Sequence, residues 1–241
     1  GATGVRLTKA GVQFLDGAQG AMTHLAHAVD RVGAFAQAER NIVRIGILAP
    51  LTSGFLDDLL RLAVDQRSPP QLSLTEGSAA EHLSGLRTGR LDLAFLTEAP
   101  ASARCANRPL WRERLVAVLP TQHALAAKTQ LGWPDLVDEH FLIPSGGSAG
   151  DIEGLLINRF TRLGRTPSIT RQAAGRETLM RLIALGQGVM ITVESAAGAA
   201  LAGVIGRPIA REAAPFHAVW SAQNSKPAVK RLIALAVQHA P

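Results

Sequence analysis

Ile42-Val43-Arg44-Ile45-Gly46-Ile47-Leu48 opens the stretch whose reading decides the fold. It is a short apolar run of strand length, followed by Gly54–Arg67, where the apolar residues shift to helical spacing. Ser68-Pro69-Pro70 breaks that segment, because a residue before proline is pushed out of the helical region. Leu72–Glu76 is a second strand, Ala79–Thr88 a second helix closed by Gly89, and Leu91–Leu96 a third strand. Strands alternating with helices of this length imply a parallel sheet with right-handed crossovers.

Working outward, another apolar run, Arg114–Leu119, ends at Pro120. A second and similar cycle follows. His140–Ile143, Ile169–Ala173 and Val189–Val193 are strand-like; Asp151–Leu163 and Glu177–Leu185 are helical and are closed by Gly164 and Gly186. Ser195–Leu201 is read as a short helix, Val204–Ile209 as a strand and His217–Ala222 as a further run. The last helix spans Lys226 to His239 with Ser225 as its cap. Two α/β halves of roughly a hundred residues each are expected.

Residues 8 to about 40 stand apart from both halves. They contain no proline, and Thr8 is placed to cap a helix. Leu15, Ala18, Met22, Leu25, Val29, Val32 and Ala36 recur at gaps of three and four, a heptad seam. Small residues on the seam permit close helix approach but leave an isolated helix marginal, so this helix either packs on its own domain or pairs with another chain.

The composition excludes several classes. With 47% hydrophobic and 18% charged residues among 241, the chain is globular rather than disordered. The net charge of +6 is spread out, so it does not by itself imply nucleic-acid binding. Cys105 is the one cysteine, which rules out an internal disulfide and fits a reducing compartment. No apolar run is long enough to cross a membrane, and the first residues do not read as a signal peptide.

Several motifs then line up in order. Val5-Arg6-Leu7-Thr8-Lys9-Ala10-Gly11 with Phe14-Leu15 resembles the "LTxAG" junction of LysR-type transcriptional regulators, where the wing of a winged helix-turn-helix meets a linker helix. Arg44-Ile45-Gly46 is similar to the family's first α/β opening, and Leu86–Ala94 to its "LxxGxlDlai" segment. Leu115–Pro120 with His123–Ala126 resembles the "lvlvlpxxHpLa" crossover, and Leu182–Val189 the "lvaaGxGva" turn. Each is weak alone; five in order, behind a heptad helix, are specific. Val193 departs from the pattern, standing where the family usually has proline.

The resemblance implies an α/β fold of two Rossmann-like subdomains of the periplasmic-binding-protein type II kind, preceded by a long linker helix. It divides the chain into 1–41 (wing remnant and dimerisation helix), 42–119 with 217–241 (subdomain I) and 120–216 (subdomain II). It also implies a small effector between the subdomains, a homodimer or homotetramer, promoter DNA bound through helices ahead of Gly1, a cytoplasmic setting, and neither cofactor nor metal.

The residues themselves point to the same crevice. In open parallel sheets ligands sit outside the carboxyl ends of strands, near helix N-termini that favour anions. Pro50, Thr52 and Ser53 follow the first strand, Ser78 the second, Thr97 the third; Ser145, Gly147 and Ser148, then Gly175 and Arg176, precede helices in the second half, and Thr192 ends a strand. A small carboxylate is the expected ligand, with Arg176 supplying positive charge. The plainer reading is that these hydroxyls only cap helices. In the family's pattern the effector-facing positions match Pro50 through Ser53, Ser78, Thr97 and Ser145 through Ser148.

Two other functions compete. A periplasmic solute-binding protein would share the two-lobed fold, but the heptad helix argues against it. Gly146-Gly147-Ser148-Ala149-Gly150 fits the G-x-S-x-G nucleophile elbow of a serine hydrolase using Ser148. Pro144 and Ser145 loosen the turn an elbow needs, and no His-Gly-Gly oxyanion motif is present. His24 and His27 lack a third ligand for a metal. No P-loop or dinucleotide fingerprint occurs.

Overall fold

A computed structural model describes residues 7–34, 42–48, 53–100, 104–145, 149–197 and 201–241. Helix α1 spans Lys9–Ala34, inside the expected 8–40, with 35–41 outside the described residues. Thr8 caps it as expected: the Gly11 N–H donates to Thr8 Oγ1 at 3.0 Å. Leu15, Met22 and Leu25 of the seam are exposed and Ala18 is half-buried; the side chains of Val29 and Val32 lie outside the description.

The first half forms as read. Strands β1 (Ile42–Ile47), β2 (Gln71–Glu76) and β3 (Leu93–Leu96) alternate with helices α2 (Phe55–Val64) and α3 (Ala79–Arg87). β1 pairs in parallel with both β2 and β3. β1 and β3 are nearly continuous apolar runs because both faces are covered.

The centre of the molecule differs from the reading. Arg114–Leu119 is the end of a sixteen-residue strand, β4 (Cys105–Pro120). The runs 204–209 and 217–222 belong to one strand. Numbered in chain order, the intervening elements are β5 (His140–Pro144), α4 (Ala149–Thr161), β6 (Ser168–Gln172), α5 (Arg176–Ala184), β7 (Met190–Val193) and α6 (Glu194–Ala197). That strand is then β8 (Val204–Ser221), and α7 (Pro227–His239) ends the chain. β4 and β8 pair antiparallel over almost their whole length, with irregularities between Pro109 and Trp111 and between Arg114 and Val116. Bulges of this kind bend and twist a strand, so one ribbon serves two differently oriented halves. The main sheet is therefore mixed, in the order β2-β1-β3-β8-β4-β7, with β5-β6 a separate parallel pair.

Three smaller corrections follow. The expected helix 195–201 is α6, one residue earlier at its start, and 198–200 lie outside the described residues. The residue before α7 is Lys226, not Ser225, because Pro227 takes the first helical position, where its missing N–H costs nothing. Strand Leu91–Leu96 begins at Leu93, since Asp92 is turned to other partners.

Two sets of buried side chains hold this together. Ile45, Leu59, Leu86, Phe95, Leu232 and their neighbours form one core between β1, β3 and helices α2, α3 and α7. In the other half β4 alternates: Leu115, Ala117 and Leu119 meet Phe141, Leu156 and Phe160 on one face, while Val116 and Val118 meet Leu179, Met180 and Ile183 on the other. Each of these side chains larger than alanine contributes about 1.5–3 kcal/mol on burial. The long strands β4 and β8 run from one core into the other and fix the space between them.

Candidate functional site

The carboxyl end of β1 faces that space. Ile47 and Leu48 line a crevice with Ser53 and Leu56 from the start of α2, and with Phe95, Trp111 and Phe216 as an aromatic floor. Trp111 stacks on Phe216 with centroids 4.7 Å apart and planes at 5°. Phe55 and Phe95 tilt against the same indole at 4.9 and 5.6 Å. The opposite wall is Glu113 of β4 with Val193 and Ser195 at the junction of β7 and α6.

A chain of hydrogen bonds spans this crevice. Trp111 Nε1 donates to Glu113 Oε1 at 2.7 Å. The Ser195 N–H donates to Glu113 Oε2 at 3.2 Å, and the Ser195 hydroxyl donates to the same oxygen. The Ser53 hydroxyl in turn donates to the Ser195 carbonyl at 3.1 Å. Gly54, at φ +86°, starts α2 and offers no side chain to its first N–H groups. Those groups therefore keep the partial positive charge of a helix start.

Of the expected effector residues, Pro50, Thr52, Gly147 and Ser148 lie outside the described residues. Ser53 lines the crevice; the other six lie outside its lining. Ser78 is engaged as the cap of α3: its hydroxyl accepts from the Glu81 N–H at 3.2 Å, and Glu81 Oε2 accepts from the Ser78 N–H at 2.7 Å. These bonds hold the Glu81 carboxyl below its usual range. Thr97, half-buried, follows β3. Ser145 is exposed at the end of β5, and its N–H donates to the Gln172 carbonyl at 2.8 Å. Gly175 caps α5 beside open space. Thr192 alternates with crevice-lining Val193, so it sits on the other face of β7 with Met190, towards α5.

Arg176, like Arg159 at Nε and His217 at Nδ1, carries buried nitrogen without an acceptor among the described residues. In Arg176 the nitrogens are Nε and Nη2. Burial pushes its pKa down, opposed only by the charge of Glu177. Buried donors normally have partners, and an anion would complete these two nitrogens.

The sequence reading missed Trp111, Glu113, Ser195 and the aromatic floor. Trp111 and Glu113 stand two apart on one strand, but they precede the apolar run at Arg114 and were not read as strand. Among the described residues no three His, Cys, Asp or Glu side chains converge on a metal position. No described helix is long and apolar enough to cross a membrane.

Residues 36–241 match the family of the LysR substrate binding domain. The chain belongs to this LysR family. A Streptomyces viridosporus protein named as a probable hydrogen peroxide-inducible genes activator is 27% identical over 80% of this chain and 61% of its own length. The HTH-type transcriptional regulator TtuA of Agrobacterium vitis is 26% identical over 82% of this chain and 67% of its own. The chain thus spans about two-thirds or less of the length of these LysR relatives. The BenM effector binding domain, solved with its effector benzoate, superposes with a TM-score of 0.69 at 20% identity, over 82% of this chain and 90% of that one. The LysR fold, two Rossmann-like lobes of the periplasmic-binding-protein type II kind, is therefore the fold of this chain. Neither the solute-binding nor the hydrolase alternative finds support in these matches.

Proposed function

We propose that this chain is the ligand-responsive region of a LysR-type transcription regulator and that it binds a small anionic effector between two lobes. The lobes proposed are 42–119 with 217–241, and 120–216; separate buried cores support a division into two lobes, and residues 115–119 send their side chains into the second of them. The observation that carries the anionic reading is Arg176, whose buried Nε and Nη2 lack an acceptor among the described residues, although it lies outside the lining of the crevice at β1. The uncapped start of α2, in the crevice, adds a second attraction for negative charge. Of the other expected contacts, Pro50, Thr52, Thr97, Ser145, Gly147, Ser148 and Gly175 form the rest of the proposed lining, while Ser78 serves its own helix and Thr192 faces α5.

The effector acts by binding one arrangement of the lobes better than another, and only that difference in affinity can shift them. Residues 1–41 pair with a second subunit through the exposed stripe of α1, giving a dimer or tetramer. The signal passes to promoter DNA through an N-terminal domain of the kind the relatives' HTH names describe. The region binds rather than transforms its ligand, and the regulator works in the cytoplasm. A thermal-shift screen with small carboxylates tests this. An effector at 100 times its dissociation constant adds about 2.7 kcal/mol, which raises the midpoint by about 5–11 °C for a chain of this size. No shift with any carboxylate refutes the reading.

A further inference from the structure

The crevice is too small for the ligand proposed to enter it. It encloses about 30 Å³, roughly the share of one water molecule, whereas sites for small organic ligands enclose about 300–1,000 Å³. Its floor is already packed: Phe95, Trp111 and Phe216 are 1%, 5% and 9% exposed. Its hydroxyls are engaged as well, Ser53 on the Ser195 carbonyl and Ser195 on Glu113.

A contact between the lobes closes it. On one side, the turn at the start of α6 is fixed to β4. The Ser195 N–H and hydroxyl both donate to Glu113 Oε2, and Trp111 Nε1 holds Glu113 Oε1 from below at 2.7 Å. Arg114 Nε donates to Glu194 Oε2 at 3.0 Å and pins the same turn. On the other side stands the start of α2, in the first lobe. The Ser53 hydroxyl donates to the Ser195 carbonyl at 3.1 Å. Gly54 comes so near that a Cβ on it would stand 3.0 Å from Ser195 Cβ, closer than two such carbons ordinarily pack. Its φ of +86° also suits glycine, so the approach is built into the residue.

We infer that Ser53, Gly54 and Ser195 form an autoinhibitory latch: it holds the lobes in an arrangement that excludes the effector, which binds by parting α2 from α6. Binding therefore opens the lobes, the reverse of a ligand that draws them around itself. One hydrogen bond of this kind biases an equilibrium by about two- to tenfold, so the latch yields to a ligand of moderate affinity. This inference rests on the effector reading of the crevice and adds the direction of the motion.

The test is the rate of disulfide formation by S53C/S195C with diamide, in a C105S background so that no third thiol competes. The probe is each small carboxylate, benzoate first, that raises the melting midpoint of the reduced variant. At about 100 times its dissociation constant, a ligand that binds only the parted lobes leaves about one chain in a hundred latched, so disulfide formation should slow by at least about tenfold. The oxidised form should lose the carboxylate-induced rise and regain it on reduction. An unchanged or faster rate overturns the inference, and so does a rise that survives oxidation. A folded variant that forms no disulfide in the absence of carboxylate also overturns it, because the two residues are then not held together. Small-angle scattering reads the same direction on the unmodified chain: the radius of gyration should increase with the carboxylate at constant mass, and a decrease or no change overturns the inference without any variant. If no carboxylate raises the midpoint of the wild-type chain, the effector reading has itself failed and the latch falls with it.

Discussion

Replacing Asp92 tests what joins the C-terminal helix to the first lobe. Asp92 precedes β3 at the end of the sheet away from the crevice, and its side chain is 5% exposed. Four donors converge on it: the Arg44 N–H and Nε on Oδ2, each at 3.0 Å, Arg44 Nη2 on Oδ1 at 3.1 Å, and Lys226 Nζ on Oδ2 at 2.9 Å. Asn224 Nδ2 also donates to the Asp92 carbonyl at 3.0 Å, so the loop before α7 is fastened to β1 and β3 through one residue. Removing one partner of a buried pair costs about 3–5 kcal/mol. Arg44 and Lys226 are 39% and 42% exposed and regain water, which puts D92A near the lower end, at about 3 kcal/mol. The melting midpoint should fall by about 6–12 °C. D92N should fall less, because the amide still offers an oxygen to the Arg44 N–H. Burial acts to raise the Asp92 pKa, but the hydrogen bonds from Arg44 and then Lys226 outweigh it and hold the carboxyl below its usual range. A depressed folded pKa means the stabilisation is complete above the unfolded value of about 3.9 and is lost as pH falls through the folded one. The gap between wild type and D92N in urea melts should therefore be largest near neutrality and shrink below about pH 4. A D92A midpoint within 2 °C or so of wild type, or a gap independent of pH, refutes the role given to this network.

Three further outcomes are expected. R176A should abolish the carboxylate-induced rise in midpoint, because it removes Nε and Nη2, two buried nitrogens without an acceptor among the described residues; a normal rise in the thermal-shift assay removes Arg176 from the site. G188A should destabilise the second lobe by more than the 1–3 kcal/mol or so of ordinary overpacking, because a Cβ there would stand 2.6 Å from the His140 carbonyl at φ +149°; an unchanged urea midpoint counts against this packing. M22E with L25E should leave thermal stability of the α/β lobes unchanged while light scattering falls to the mass of one chain, because these side chains are 73% and 66% exposed in the monomer; an undiminished mass places the subunit contact elsewhere.

Much of the architecture was legible because it rests on local chemistry. Period-two and period-3.6 patterns, the proline break at 68–70 and glycines after helices placed β1 to β3 and α2 to α5 within a few residues. Asp92 was visible as part of a motif, but not as the residue on which Arg44 and Lys226 converge from 48 and 134 residues away. The long strands were hidden for a related reason. Cys105–Glu113 and Ala210–Phe216 mix exposed arginines with buried side chains, and only their pairing over a dozen residues makes each a single strand. The crevice is the clearest case. Local sequence identified helix starts and hydroxyls, some of which, like Ser78, turned out to serve their own helices. Trp111, Glu113, Ser195 and Phe216 become neighbours only when β4, β7 and β8 are laid side by side. The sequence by itself determined the order and type of most elements, because those follow from neighbours along the chain; the extent of β4 and β8, and which side chains share the crevice, were decided by tertiary structure, because both depend on strand pairing between segments a hundred residues apart.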